Sequence, residues 1–166
     1  MIQLKTERAF TDLYASHAGG VRRFLRGMLG GNTQQAEELT QEAFLKAWRA
    51  LPTFAFKSTM KTWVYTVALN TARDWLRGHG GRRFEALSPT MPADVHAETP
   101  ETRAVREALL ELDENTRALL MLHYYEDMGL AEIGQVLKVP EGTVKSRLHH
   151  AKSKLRPKLI AKGFDV

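Results

Sequence analysis

Cysteine is absent from the 166 residues, which removes disulfides, thiolate metal sites and cysteine nucleophiles together and suits a reducing compartment. Also missing is any run of about 18 apolar residues, so no segment reads as a membrane span. The stretch Met1-Ile2-Gln3-Leu4-Lys5-Thr6-Glu7-Arg8 lacks the apolar core of a signal peptide, and the expected location is the cytoplasm. There is no internal repeat, no low-complexity block and no phosphate-cradling glycine motif. The six histidines, at 17, 79, 96, 123, 149 and 150, fall in different segments with no nucleophile or metal-binding motif around them. Neither an enzyme, a cofactor nor a bound metal is expected.

What is present is a globular composition, 43% hydrophobic and 26% charged, enough for one ordinary domain or two small ones. The net charge of +5 is unevenly spread: residues 1–77 carry 11 basic and 6 acidic groups, residues 78–129 carry 5 and 10, and residues 130–166 carry 8 and 3. Two basic ends flank an acidic middle. Separate positive surfaces suit two contacts along one polyanion, although solvating lysines would give the same count.

Apolar spacing is helical from Phe10 to Leu76. Phe10, Leu13 and Tyr14 recur at three and four, as do Val21, Phe24, Leu25 and Met28. After a Gly30-Gly31-Asn32 break, Ala36, Leu39, Ala43, Phe44, Ala47 and Leu51 form a stripe that Pro52 ends, and a further helix is predicted from about Thr59 to Arg77. Four helices are thus expected in a first domain, 1–77. From Gly78 to Pro100 the pattern gives way to Gly78, Gly80, Gly81, Pro89, Pro92 and Pro100, which reads as a flexible linker. Periodicity resumes at Val105, Leu109 and Leu112, so residues 101–166 form a second helical domain. The expected fold is all-α, two small helical domains with the second ending in a helix-turn-helix.

That ending is the strongest local signal. Leu130, Ile133 and Leu137 share a face of one short helix; after Lys138-Val139-Pro140, Val144, Leu148, Ala151 and Leu155 share a face of the next. Opposite Val144 and Leu148 the second helix displays Ser146, His149, His150 and Ser153, flanked by Thr143, Lys145, Arg147 and Lys152, with no carboxylate after Glu141. Such a face suits the DNA major groove, short polar groups reading base edges and cations gripping phosphates. An ordinary helix-turn-helix regulator would dimerise on a two-fold operator, and the chain shows no heptad seam for that.

The string from Gly142 to Leu155 resembles the recognition helix in region four of extracytoplasmic-function sigma factors. Ala36-Glu37-Glu38-Leu39-Thr40-Gln41-Glu42-Ala43-Phe44-Leu45-Lys46-Ala47-Trp48 resembles the region-two helix of that family, and Lys61 to Arg77 its helix that engages and melts the minus-ten element. The resemblance covers nearly the whole chain. It implies sigma region two in 1–77, a linker at 78–100 and sigma region four in 101–166. The implied work is promoter-specific initiation with core RNA polymerase, on promoter DNA, with room for an anti-sigma factor and no membrane insertion.

Each surface then has an implied task. Glu38, Leu39, Gln41, Glu42 and Phe44 would dock on polymerase; bottom-up, Glu37, Glu38, Gln41 and Glu42 already form an acidic patch off the apolar stripe of their helix. Trp63, Tyr65 and Asn70 would meet unpaired minus-ten bases, with Lys57, Lys61, Arg73 and Arg77 on phosphates, and the loop from Phe54 to Met60 would form a pocket for a flipped base. Thr143, Lys145, Ser146, Arg147, His149, His150 and Lys152 would meet the minus-thirty-five element. The chain departs from the pattern at Leu69, where the family often has a basic residue, and at Leu112-Asp113, where it often has Leu-Pro.

Overall fold

The structure, a computed structural model, describes residues 2–79 and 98–166, and among these it contains helices and no strand. Helix α1 spans Ile2–Met28 without interruption. The first two apolar segments, expected as separate helices, are therefore one, and the first domain has three long helices in place of four. Gly19 and Gly20, each costing about 1 kcal/mol against alanine within a helix, do not break it, because Leu13, Val21, Phe24, Leu25 and Met28 keep one buried stripe across them.

Helix α2, Thr33–Ala50, starts where the Asn32 side chain accepts the Gln35 amide, and turns Ala36, Leu39, Ala43, Phe44 and Ala47 inward. A single 3-10 turn at Leu51–Thr53, with Pro52 in it, ends that run. Helix α3, Met60–Gly78, is capped by Thr59 and buries Val64, Tyr65, Ala68, Leu69 and Ala72. The three helices pack on each other through these stripes.

The second set comprises α4 (Pro100–Leu110), α5 (Glu114–Leu120), a π-helical turn (Met121–Tyr125), α6 (Leu130–Leu137) and α7 (Glu141–Ala161). Thr99 and Asp113 cap α4 and α5 as Asn32 and Thr59 cap their helices. Of the expected linker 78–100, residues 80–97 lie outside the described residues, while Gly78 and Pro100 are helix ends.

The two sets share one continuous cluster of buried apolar side chains running from Leu13 to Ala151. Polar ties reinforce it. The buried Arg117 guanidinium donates to Leu109 O at 3.1 Å and Leu112 O at 3.0 Å in its own domain and to Met28 O at 2.8 Å across the interface. Arg106 donates to Gly30 O at 3.0 Å. Carbonyls that the end of α1 leaves without helical partners are thus satisfied by the other domain.

The helix-turn-helix depends on a close approach. The Val139 amide donates to Gly134 O at 2.9 Å, and a Cβ at Gly134 would lie 2.7 Å from the Val139 carbonyl oxygen, which is backbone. Lys138 makes the turn with φ of 56°, a left-handed conformation that costs an L-residue energy. Gly134→Ala should therefore destabilise the chain by about 1–3 kcal/mol, and Lys138→Gly should stabilise it by roughly 0.5–1 kcal/mol. Urea unfolding checks both: the two midpoints should move in opposite directions.

Candidate nucleic-acid interface

Helix α7 presents its polar face as the spacing requires. Val144, Leu148 and Ala151 are buried, whereas Lys145, Ser146, Arg147, His149, His150 and Lys152 are exposed and Thr143 is half-buried. Among the described residues no carboxylate pairs with Lys145, Arg147 or Lys152, so their charge is available to an incoming anion. Lys152 lies over the Tyr124 ring, 5.9 Å from its centroid.

On α2, Glu38, Gln41 and Glu42 are exposed; Glu42 pairs with Lys46 at 2.8 Å, and Glu37 is taken by Arg22. Leu39 and Phe44, at 2% and 3% exposure, are core side chains that set the helix from behind. Beside the acids lies an apolar groove of about 610 Å³, which sequence reasoning did not find. Tyr14 and Leu45 stand exposed on it, Phe10 and Trp48 pack edge to face at 5.0 Å, and the Phe44 ring forms its floor against Tyr14 at 4.9 Å. Phe10 and Tyr14 sit at helical spacing, the signature of a core stripe; only their position at the end of that stripe hints that they also face outward.

Helix α3 is arranged differently. Lys57, Asn70 and Arg77 are exposed, Arg77 pairing with Asp74 of its own helix at 2.8 Å. Trp63 is half-buried and stacks on Phe54, rings 4.7 Å apart. The other three expected contacts are engaged by the second domain. Lys61 Nζ donates to the Glu126 carbonyl at 3.0 Å, Tyr65 donates from its hydroxyl to the Glu126 carboxylate at 2.6 Å, and Arg73 donates to Glu114 at 2.8 Å and to Asn115 at 2.7 Å. Arg23 of α1 completes the Glu126 site with two bonds at 3.0 and 2.9 Å. Burial, with the Glu126 hydrogen bond, holds the Tyr65 hydroxyl well above the ordinary tyrosine range, so it remains a donor. Tyr65 is 1% exposed here and offers no free face for stacking.

The loop before α3 borders a cavity of about 660 Å³, lined by Phe54, Phe56 and Met60 on one side and by Leu13, Ser16 and His17 of α1 on the other. Burial, then the charge of Lys61, holds the His17 imidazole below the ordinary range. Phe56 is 79% exposed with φ of 53°, an exposed aromatic in a left-handed conformation. Among the described residues no group of three or more His, Asp or Glu side chains is placed to hold a metal ion, and no helix is long and apolar enough to cross a membrane.

Comparison with known proteins gives two family matches: residues 13–82 match Sigma-70 region 2 and residues 102–155 match Sigma-70, region 4. The RNA polymerase sigma-H factor of Pseudomonas aeruginosa is 32% identical over 91% of this chain and 86% of its own length. The ECF RNA polymerase sigma factor SigW of Bacillus subtilis is 28% identical, with 91% and 89% covered. Among solved structures, CnrH in complex with the cytosolic domain of CnrY matches with a TM-score of 0.73 and 27% identity over 93% of this chain and 90% of that one. The sigma factor RpoE of Bartonella quintana, in complex with the anti-sigma factor NepR, shares the fold with a TM-score of 0.74 at 21% identity, with 92% and 97% covered.

The Phe56 backbone gives a direct stability test. Phe56→Gly removes a left-handed aromatic from a position with little burial to lose, and should raise stability by about 1 kcal/mol. A urea or thermal melt checks it, and a gain marks a side chain kept there for something other than folding.

Proposed function

Because the chain belongs to the extracytoplasmic-function sigma factors, which direct core RNA polymerase to specific promoters and catalyse nothing themselves, we propose how its surfaces divide that work. Residues 1–77 act as region two and residues 101–166 as region four, working in the cytoplasm where the polymerase is. The observation that carries the division is the contrast between α2 and α7: one exposed face is acidic beside an apolar groove, the other is cationic and without paired carboxylates.

The α2 face is the polymerase dock. Glu38, Gln41 and Glu42 supply its polar contacts, and Tyr14 and Leu45 supply the apolar ones, while Leu39 and Phe44 act by holding that surface in shape. An acidic rim around an apolar centre is the anatomy of a protein interface, not of a DNA one. Helix α3 and its preceding loop take the minus-ten strand: Lys57, Lys61, Arg73 and Arg77 on phosphates, Trp63 and Asn70 on bases, and Tyr65, buried against Phe24, holding α3 in place behind them, with the 660 Å³ cavity beside Phe54 and Phe56 large enough for one flipped base. Helix α7 reads the minus-thirty-five element. A protein of the anti-sigma kind is the expected inhibitor, as RpoE was captured with one.

Transcription from candidate promoters by core polymerase with the purified chain tests the whole assignment, and two sets of variants test its parts. Charge reversal at Glu38 together with Gln41→Ala should weaken polymerase binding by about 1–3 kcal/mol for each side chain changed, while the fold stays intact. Unchanged affinity in a well-folded double variant would remove this face from the interface.

On α7, replacing Ser146 or His149 should alter which minus-thirty-five sequences are preferred, at about 1–3 kcal/mol for one base contact. Replacing Lys145 or Lys152 should weaken all sequences alike and flatten the salt dependence, since a phosphate contact carries no sequence information. Binding to randomised elements at several salt concentrations separates the two. Uniform loss from Ser146 and His149 with selective loss from the lysines would mean that the helix sits rotated in the groove.

A further inference from the structure

The 660 Å³ cavity has two walls of different chemistry. One is the loop before α3, where the Phe56 ring lies 4.7 Å from Phe54 and Phe54 lies 4.7 Å from Trp63. That wall is apolar and offers ring faces to a base. The other wall is α1, where Asp12, Ser16 and His17 line the cavity together. Asp12 and Ser16 are exposed, and among the described residues neither side chain is engaged by a hydrogen bond or an ion pair. Asp12 does nothing evident for folding. It stands in the interior of α1, where aspartate is a poor helix former, and it is too far from the start of the helix to cap it. It also lies outside the residues matched to Sigma-70 region 2, 13–82, so the family match does not account for it.

We propose that Asp12 selects the base that enters this cavity, admitting cytosine or adenine in preference to thymine. The inference rests on the assignment of the cavity to the flipped minus-ten base. A carboxylate only accepts hydrogen bonds, whereas a hydroxyl or an imidazole N–H donates. Cytosine and adenine both present an exocyclic amine, which donates, beside a ring nitrogen, which accepts. Asp12 complements the amine, and Ser16 or His17 complements the nitrogen. Thymine carries a carbonyl oxygen where the amine would be, so two acceptors would face each other across the contact. Stacking on Phe54 and Phe56 is blind to this difference, because every base has a π face. Discrimination therefore falls to α1.

The test uses core polymerase loaded with the full chain and a promoter library randomised through the minus-ten element, read as transcript yield for each base at each position. Wild type should favour cytosine or adenine over thymine at one position by at least about fivefold. Asp12→Asn presents both a donor and an acceptor and should bring that ratio near one, with an unchanged melting midpoint and unchanged preferences elsewhere. Loss of the negative charge acts on all sequences alike, so a ratio between bases is insensitive to it.

A second measurement isolates the amine. On a premelted promoter, purine in place of adenine, or 2-pyrimidinone in place of cytosine, removes only the exocyclic amine at the selected position. The wild-type holoenzyme should bind such a strand at least about fivefold more weakly than its parent, and the Asp12→Ala holoenzyme should bind both alike. A preference that survives in both Asp12 variants, or an amine whose loss costs wild type and variant equally, overturns the role of Asp12 and leaves the cavity assignment standing. If Phe54→Ala with Phe56→Ala leaves promoter opening and every minus-ten preference unchanged, the cavity assignment fails and the role of Asp12 fails with it.

Discussion

The Glu126 carboxylate is the contact on which the arrangement of the two domains depends. Taking an ion out of water costs several kcal/mol even after relaxation, and an attraction to one partner seldom offsets that. Here Arg23 approaches from α1 with two donors and Tyr65 from α3 with one, while Lys61 holds the backbone oxygen of the same residue. Two helices of the first domain therefore converge on one residue of the second, and loss of any donor leaves a buried charge short of partners. Further polar ties, Arg117 to Met28 O and Arg106 to Gly30 O, fix the carboxy-terminal end of α1, just beyond Arg23, to the same domain.

Room for that contact is made by glycines inside a helix. A Cβ at Gly20 would stand 2.3 Å from the Tyr65 hydroxyl and 3.0 Å from a Glu126 oxygen, and one at Gly27 would stand 2.2 Å from the end of Met121. Gly20 and Gly27 thus sit where the second domain comes closest, while a Cβ at Gly19 would meet nothing. Apolar spacing alone counts two segments where the structure has the single helix α1. A glycine pair ordinarily signals a break, and the competing signal, an apolar stripe that continues in phase across the pair, becomes decisive only once the partner of Gly20 is known, far along the chain.

The same distinction between local and distant causes separates what the sequence displays from what it hides. The exposed face of α7 follows from the phase of Val144, Leu148 and Ala151 alone, so the side chains it displays are legible residue by residue. The caps at Asn32, Thr59 and Asp113 are equally local. On α2 the spacing places Leu39 and Phe44 in the core while family resemblance places them at the dock, and the groove reconciles part of this, since the buried Phe44 ring is its floor. The exposed part, Tyr14 and Leu45, comes from two helices and belongs to neither pattern. Arg117 reaches a carbonyl 89 residues away and Arg73 a carboxylate 41 away, and no periodicity reports such pairs.

Charge order along the chain takes on a second meaning in this light. Basic, acidic and basic segments suggest two contacts on one polyanion with a neutralising stretch between them. Two acids of that middle stretch, Glu114 and Glu126, are folded onto the basic first domain, where they meet Arg73 and Arg23. Arginine grips a carboxylate through its planar fork, so the two parallel bonds from Arg23 to Glu126 fix the direction as well as the distance of approach between the two domains.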